Sequence, residues 1–255
     1  MEKNYKDIIE FIDKNNFVSA IKILKKIINS ENLESLELIN IGIKFLKKNN
    51  HEAALICFKK ASEINPMHYT AYTNIGVIYF KFFSDYKKAI DNFLKSLLIK
   101  EDNEIALYNL GCCFGELGSV NKAIEYFKKT LDVNKNHNGA KFNLSIRQLL
   151  KYDFKDGWIN YEARKKIVGL QKSIHPNEES FGIPAHLVWK GKEACNNIFI
   201  HSEQGIGDEV LISSLYGELN QLHKNIKISC DKRLIAIFKR SFPGIDFLDK
   251  KKNFN

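Results

Sequence analysis

The chain has 255 residues and a formal net charge of +9, with 44% apolar and 27% charged residues. This composition is typical of globular proteins and excludes disordered and fibrous classes. No apolar run approaches the roughly 18 residues of a membrane span, and the N-terminus lacks the apolar core of a signal peptide. We therefore expect a cytoplasmic protein.

The positive charge is distributed along the first two thirds of the chain. Lysine pairs recur at Lys25-Lys26, Lys59-Lys60, Lys87-Lys88 and Lys128-Lys129. This regular spacing favours a repeated, solvated helix face over the clustered stripe of a nucleic-acid site, so we expect no nucleic-acid partner. The five cysteines show no C-x-x-C pair and no metal-ligand spacing, so neither a disulfide framework nor a metal site is expected.

The lysine spacing reflects an internal repeat. Asparagines recur at steps of 34, 35 and 34 residues, and each precedes an apolar residue and then a small one. A second register is small and a third is apolar or aromatic. The three registers are Asn40, Asn74, Asn109 and Asn143; Ala20, Ala54, Ala89, Ala123 and Gly157; and Leu24, Phe58, Phe93, Phe127 and Tyr161.

Each repeat carries two apolar stripes of helical period separated by a polar turn, which predicts a helical hairpin. Because one hairpin cannot bury both of its faces, neighbouring hairpins must stack. These registers resemble the tetratricopeptide repeat, which implies a superhelix whose first helices line a concave, protein-binding or peptide-binding surface. The predicted units are 1–34, 35–68, 69–103, 104–137 and 138–166. The first is atypical, with Lys6 and Ile8 where asparagine and glycine are expected.

The asparagine row is predicted to lie on the concave face. A carboxamide carries two donors and one acceptor, so a ladder of them can hold an extended peptide backbone. The repeat arrays of O-linked N-acetylglucosamine transferases are similar in this respect. The alternative is that these asparagines hydrogen-bond within the array.

The repeat register ends near residue 166, and a loop predicted over 167–195 leads to a different pattern. Apolar runs at 197–201, 226–230 and 245–248 predict strands, and the segments 210–222 and 231–240 between them have helical spacing. This strand–helix alternation predicts a parallel sheet of Rossmann type over 196–255.

A loop between the first strand and its helix contains Gly205 and Gly207, a geometry that favours anions. A dinucleotide fingerprint would place a third glycine at Val210. The dinucleotide interpretation is therefore remote, although Asp231 ends the second strand where a ribose-binding acid would lie.

The stretch from Trp189 through His201-Ser202-Glu203-Gln204-Gly205-Ile206-Gly207-Asp208 to Phe242-Pro243 resembles bacterial tetratricopeptide proteins fused to a heptosyltransferase-related glycosyltransferase domain. Trp158, Tyr161, Glu162 and Arg164 match the junction of those proteins. The resemblance implies that Asp208 is the base on the acceptor hydroxyl, with His201, Glu203, Gln204 and the two loop glycines around the acceptor. The alternative for Asp208 is a helix-start residue that interacts with free N–H groups.

The family's second lobe, which binds the nucleotide-sugar donor, has no counterpart in the short segment that follows Asn196. We therefore expect a truncated chain that binds no cofactor itself and transfers no sugar, with a nucleotide-sugar donor implied for a full-length protein. Two functions remain open. The first is a repeat scaffold attached to the start of a glycosyltransferase, and the second is an interaction module without catalysis.

Overall fold

The computed structural model describes residues 2–28, 34–167, 197–201, 205–223 and 225–250. The chain divides into two compact units, Met1–Arg164 and Lys165–Asn255. Most of the loop predicted over 167–195 lies outside the described residues. Each unit has its own core.

The first unit is a stack of helical hairpins, which confirms the predicted superhelix. Each hairpin joins a first helix to a second helix through a short turn, and a 3₁₀ turn, Glu162–Lys166, follows the last hairpin. The helices are α1 Glu2–Asp13, α2 Phe17–Ile28, α3 Ser35–Lys47, α4 His51–Ile64, α5 Tyr69–Lys81, α6 Tyr86–Ile99, α7 Glu104–Glu116, α8 Val120–Val133, α9 Asn138–Leu150 and α10 Phe154–Tyr161.

A glycine on the first helix and a phenylalanine on the second hold each of the three central hairpins together. A Cβ atom added to Gly111 would lie 2.5 Å from Cε1 of Phe127, and the corresponding distance from Gly76 to Phe93 is 2.6 Å. In the second hairpin, Gly42 has the same relation to Phe58 at 2.7 Å. Carbon atoms do not pack closer than about 3.5 Å, so each ring occupies the space that a side chain would take.

In the first and last hairpins, other residues form the contact between the two helices. In the first hairpin, Ile8 and Leu24 are both fully buried at the registers of the glycine and the phenylalanine. In the last, Ser145 is fully buried at the glycine register, and Gly157 of α10 is seated against Leu149, with a hypothetical Cβ 2.7 Å from its Cδ2.

The first helices form the inner layer of the stack. α1 contacts α3, α5 contacts α7 and α7 contacts α9, and each second helix from α4 to α8 packs against the next first helix. Among the described helices, the second helices of neighbouring hairpins make at most marginal contact with one another. The stack therefore curves with α1, α3, α5, α7 and α9 on its inner side.

Every hairpin turn contains one residue in the left-handed backbone region. Three of the five are residue types that tolerate positive φ well, since glycine lacks a Cβ and asparagine bonds locally. The exception with the largest side chain is Tyr152, whose φ is 61° and which is 80% exposed. The five positions are Asn15, Asn49, Ser84, Gly118 and Tyr152.

The second unit contains a three-stranded parallel sheet in the order β1-β2-β3, as predicted. Its strands are β1 Ile198–His201, β2 Ile226–Cys230 and β3 Asp246–Asp249, and its helices are α11 Ile206–Ile212, α12 Tyr216–Leu222 and α13 Lys232–Ser241. Tyr216 of α12 and Phe238 of α13 pack with Ile228 and Phe247 of the sheet.

The sequence predicts helical spacing over 210–222. In the structure, α11 already begins at Ile206, and a 3₁₀ turn at Ser213–Leu215 separates it from α12. The hydroxyl of Ser213 donates to the carbonyl of Val210 at 2.7 Å, and that of Ser214 donates to Leu211 at 2.8 Å. Serine hydroxyls that bond to preceding carbonyls compete with the helical ladder, which accounts for the break.

The contact between Gly111 and Phe127 is predicted to be intolerant of a single methyl group. Gly111→Ala should lower the free energy of unfolding by about 1–3 kcal/mol through overpacking, although alanine is the better helix former. Urea unfolding followed by circular dichroism measures this change. Gly115→Ala in the same helix is the matched control, because its nearest neighbour is the flexible end of Arg147. Equal stability of the two variants would contradict the prediction.

Relief of the backbone strain at Tyr152 is predicted to stabilise the first unit. Tyr152→Asn should raise the free energy of unfolding by about 1 kcal/mol, because asparagine adopts positive φ at lower cost. The reciprocal substitution Asn49→Tyr, at the same place in the second hairpin, should lower it by a similar amount. Thermal denaturation of both variants tests this, and a Tyr152→Asn protein less stable than the parent would contradict it.

Candidate functional site

The asparagine row lies on the first helices, and its members differ in exposure. Asn40 is exposed, Asn74 and Asn143 are half-buried, and Asn109 is 6% exposed. The row is therefore accessible at its N-terminal end and becomes less accessible toward the fourth hairpin.

The carboxamide donors of the row are partly engaged within the array. Nδ2 of Asn74 donates to the carbonyl of Thr70 at 2.9 Å, and Nδ2 of Asn109 donates to that of Ile105 at 2.7 Å. Nδ2 of Asn143 reaches the neighbouring hairpin and donates to the hydroxyl of Tyr108 at 3.1 Å. These bonds correspond to the alternative considered for the row, and they leave each of these three side chains fixed in orientation.

Apolar side chains lie beside the carboxamides on the same inner helices. Leu36, one turn before Asn40, is 55% exposed, and Ile105, one turn before Asn109, is 57% exposed. Residues four apart share a helix face, so the inner layer presents exposed aliphatic groups next to oriented amides. Sequence reasoning identified the asparagines but not their apolar neighbours.

A polar cluster between the fourth and fifth hairpins was also missed. Nδ2 of Asn143 donates both to the Tyr108 hydroxyl, at 3.1 Å, and to the Cys112 thiol, at 3.6 Å. Burial raises the pKa of Cys112 to about 11 and raises the pKa of Tyr108 further above its usual range. The His137 ring packs 4.5 Å from the Tyr108 ring, and its Nδ1 accepts from the N–H of Ala140. Both acidic groups of the cluster are therefore neutral at physiological pH.

The residues of the junction motif close the end of the first unit. The guanidinium of Arg164 lies 4.6 Å from the centre of the Tyr161 ring, and Nη1 of Arg164 donates to the Glu162 carboxylate at 2.8 Å. Trp158 packs edge-on against the same tyrosine at 5.5 Å. This arrangement is a local aromatic–arginine cluster at the last turn of the stack.

In the second unit, the described members of the predicted acceptor site have separate surroundings. Asp208 is exposed in the first turn of α11 and forms no hydrogen bond or ion pair with the described residues. Gly205 precedes the helix and Gly207 has open space around it. His201 at the end of β1 is hydrogen-bonded to Ser229 of β2 at 2.7 Å. Glu203 and Gln204 lie outside the described residues.

Glu209, the residue after Asp208 in the first turn of α11, is only 2% exposed. Its carboxylate accepts the N–H of Asp231 at 2.8 Å and is paired with the ammonium of Lys250. It therefore ties α11 to the ends of β2 and β3. The sequence shows two adjacent acids, Asp208 and Glu209, but it does not indicate which of the two is buried.

Asp231, the acid considered for ribose binding, is hydrogen-bonded to the nearby Arg233. The Asp231 carboxylate caps α13 through the N–H of Arg233 and also pairs with the guanidinium of that arginine. These bonds hold the pKa of Asp231 well below its usual range. Among the described residues, no group of three or more His, Cys, Asp or Glu side chains has the arrangement of a metal site. No helix in those ranges is long and apolar enough to cross a membrane.

Removal of the Glu209 carboxylate is predicted to loosen the second unit. Glu209→Ala removes the carboxylate that pairs with the Lys250 ammonium and accepts the Asp231 N–H, which should cost about 3 kcal/mol. Hydrogen exchange in peptides covering 226–250 should accelerate correspondingly. Asp208→Ala is the matched control because its carboxylate is exposed and makes no bond to a described residue. Equal protection in the two variants would show that Glu209 does not anchor the helix.

Part of the first unit matches a known repeat family. Family models described as tetratricopeptide repeat match residues 38–68, 69–103 and 105–137. None of these matches extends into the second unit, so the glycosyltransferase resemblance has no support from them.

Two curated relatives are photosystem I assembly proteins named Ycf3. The protein from Acaryochloris marina is 32% identical over 65 residues, which are 24% of this chain and 39% of that protein. The protein from Rippkaea orientalis is 31% identical over 65 residues, 24% of this chain and 38% of that protein. The chain thus spans about two fifths of the length of these relatives.

Solved structures of MamA have a similar fold. One is 19% identical, with a TM-score of 0.54 and coverage of 70% of this chain and 97% of that one. MamA from Desulfovibrio magneticus RS-1 is 22% identical, with a TM-score of 0.51 and coverage of 67% and 95%. These likenesses concern the fold alone. Residues 38–137 are therefore three consecutive tetratricopeptide repeats within a superhelix of helical hairpins.

Proposed function

We propose that this protein is an interaction scaffold that binds an extended segment of a partner protein along the inner layer of its first helices. The observation that carries the proposal is the pairing of exposed aliphatic groups, Leu36 and Ile105, with carboxamides on the same helix faces. Aliphatic contacts supply binding energy through buried area. The exposed carboxamide of Asn40 supplies direction, because its donors and acceptor match the backbone of an extended chain.

The scaffold proposal agrees with the names of the curated relatives. Ycf3 is described as an assembly protein, and the matched region of 65 residues is of a size that holds about two repeats. A function in bringing proteins together requires a surface and no reacting groups. Within the described part of the first unit, the thiols of Cys57, Cys112 and Cys113 have pKa values raised by burial, so they remain protonated.

The glycosyltransferase interpretation of residues 196–255 stays a prediction. It assigns the acceptor side to Asp208, with the nucleotide-sugar donor bound elsewhere in a longer protein. An exposed carboxylate can act as a general base only when substrate brings a hydroxyl within hydrogen-bond reach. The scaffold function of the repeats does not depend on this interpretation.

Selection of binding peptides tests the scaffold proposal. A phage-displayed library of random dodecapeptides is selected on the full chain, and recovered peptides are measured by fluorescence anisotropy. Ile105→Asp should weaken their binding by about tenfold or more, because it places a charge where an aliphatic contact forms.

The matched control for this experiment lies on an outer helix. Leu98 of α6 is 87% exposed, so Leu98→Asp makes the same kind of change outside the inner layer. This variant should leave affinity within about twofold of the parent. Peptides that respond to Leu98→Asp and ignore Ile105→Asp would place binding on the outer face and overturn the proposal.

A further inference from the structure

The turns within the hairpins lie beside one another along one edge of the first unit. Nζ of Lys48, in the second turn, donates to the carbonyl of Asp13, which precedes the first turn, at 3.4 Å. The His51 ring, directly after the second turn, stacks on the Phe82 ring of the third turn, with the ring centres 3.5 Å apart. The first three turns are therefore in contact through these residues.

The fourth and fifth hairpins continue this edge. Nζ of Lys151, in the last turn, donates to Oδ1 of Asn121, which follows the fourth turn, at 2.7 Å. We define the turn edge as the five turns within the hairpins, together with the two helix residues on each side of every turn. The five turns are 14–16, 48–50, 82–85, 117–119 and 151–153.

The exposed aromatic side chains of the first unit are concentrated at the turn edge. Among its described residues, five large aromatic side chains are exposed, and four of them belong to this edge. They are Phe82, Phe83, Tyr152 and Phe154. The opposite edge consists of the loops between hairpins, of which 65–68, 100–103 and 134–137 are described in full. At those three loops and the two helix residues on each side of them, the exposed large apolar side chains are not aromatic.

One of the four aromatic residues has a strained backbone. Tyr152 has a φ of 61°, where the first, second and fourth turns have Asn15, Asn49 and Gly118. Its side chain is 80% exposed and packs edge-on against the exposed Phe154. A large side chain that is kept at a strained and exposed position contributes little to folding, and such outliers point to function.

The lysines of the turn edge are less neutralised than its acids. Asp13 is paired with Lys44, and the carboxylates of Asp85 and Asp153 accept N–H groups at helix starts. Five lysines of the edge are exposed and form no ion pair with a described residue, and they give the edge a positive surface. These lysines are Lys47, Lys81, Lys87, Lys151 and Lys155.

The charge balance is reversed at the opposite edge. Its three fully described loops and their flanking helix residues contain more acids than lysines. The acids are Glu63, Glu101, Asp102, Glu104 and Asp132, and the lysines are Lys100 and Lys135. Exposed aromatic rings and unneutralised lysines therefore occur together at the turn edge and not at the described part of the opposite edge.

This combination matches the chemistry of an anionic bilayer surface. Aromatic rings are favoured in the headgroup region of a membrane, and lysines near the surface are attracted to anionic lipids. Protein interfaces are enriched in arginine and depleted in lysine, so a protein partner suits this edge less well. A nucleic-acid backbone would engage the lysines but leave the exposed phenylalanines in water.

We infer that the turn edge docks on the surface of a bilayer that contains anionic phospholipid. The aromatic side chains enter the headgroup region, and the surrounding lysines contact the negatively charged headgroups. The inference goes beyond the proposed function and does not depend on it, because the edge is separate from the exposed aliphatic groups of the inner layer. A docked scaffold would hold its bound partner segment at the membrane surface.

Co-sedimentation of the full chain with lipid vesicles tests the aromatic part of this inference. One set of vesicles is phosphatidylcholine with about 30 mol% phosphatidylserine, and the other is phosphatidylcholine alone. The double variant Phe83→Ser with Tyr152→Asn should weaken binding to the anionic vesicles by about tenfold or more. The matched control at the opposite edge, Met67→Ser with Leu98→Ser, should stay within about twofold of the parent.

Tyr152→Asn alone separates docking from folding. This variant is expected to be more stable than the parent, because the strain at position 152 is relieved. It should nevertheless bind anionic vesicles more weakly, because an aromatic ring is lost from the edge. A weaker but more stable variant cannot owe its loss of binding to unfolding.

The lysines are tested at constant net charge. Lys81→Gln with Lys87→Gln removes two charges from the turn edge, and Lys100→Gln with Lys135→Gln removes two from the opposite edge. The first pair should weaken binding to the anionic vesicles by about tenfold at low salt, and the difference should shrink as salt screens the charges. The second pair should have less than half of this effect on a logarithmic scale.

Four results would overturn the inference. They are the absence of binding to the anionic vesicles, equal binding to both kinds of vesicle, equal losses from the two edges, and tighter binding to duplex DNA that requires the lysines but not the aromatic residues. Sedimentation velocity supplies a further test, since a dimer that dissociates in the Phe83→Ser variant would assign the edge to a second copy of the chain. None of these results bears on peptide binding at the inner helices, so the proposed function is judged separately.

Discussion

The contact between a bare helix backbone and a phenylalanine ring sets the geometry of the repeat unit. Because Gly42, Gly76 and Gly111 carry no side chain, the rings of Phe58, Phe93 and Phe127 lie directly on the first helix. Close-packed interiors tolerate little change in volume, so the distance between paired helices is nearly fixed. When the same distance recurs in successive hairpins, the stack acquires a regular curvature. The inner layer of first helices is a consequence of that curvature.

The same constraint explains why the sequence was informative about the first unit. A ring and a glycine that must meet in successive hairpins leave a period of 34 or 35 residues, which can be read without any structure. The extra residue in the third hairpin falls in its turn, where α5 ends at Lys81 and α6 begins at Tyr86. The three strands of the second unit were also predicted from the sequence, because a short apolar run between two helical segments is typical of a buried strand.

Positions that depend on a partner from another hairpin could not be predicted. Arg147 shows no departure from helical spacing, yet its guanidinium lies against Gly115, 32 residues earlier, where no side chain is present. Glu209 and Asp208 are adjacent acids, yet the fold buries the first against Lys250 and leaves the second exposed. Periodicity determines which face of a helix is buried, but the pairing of polar groups across elements is set by tertiary structure.

The polar contacts between hairpins are concentrated where the apolar registers weaken. In the third and fourth hairpins, the fully buried Ser96 replaces the alanine found at Ala61, and it bonds to Thr73 and Asn103, each at 2.8 Å. In the next interface, Asn143, Tyr108 and Cys112 form the corresponding link. Buried networks of this kind specify one arrangement when every member is bonded. They fix the relative rotation of successive first helices, and thereby the spacing of the exposed aliphatic groups and amides along the inner layer. The apolar glycine–phenylalanine contacts thus set the shape of the three central hairpins, and the polar links between hairpins set the relative positions of the inner helices.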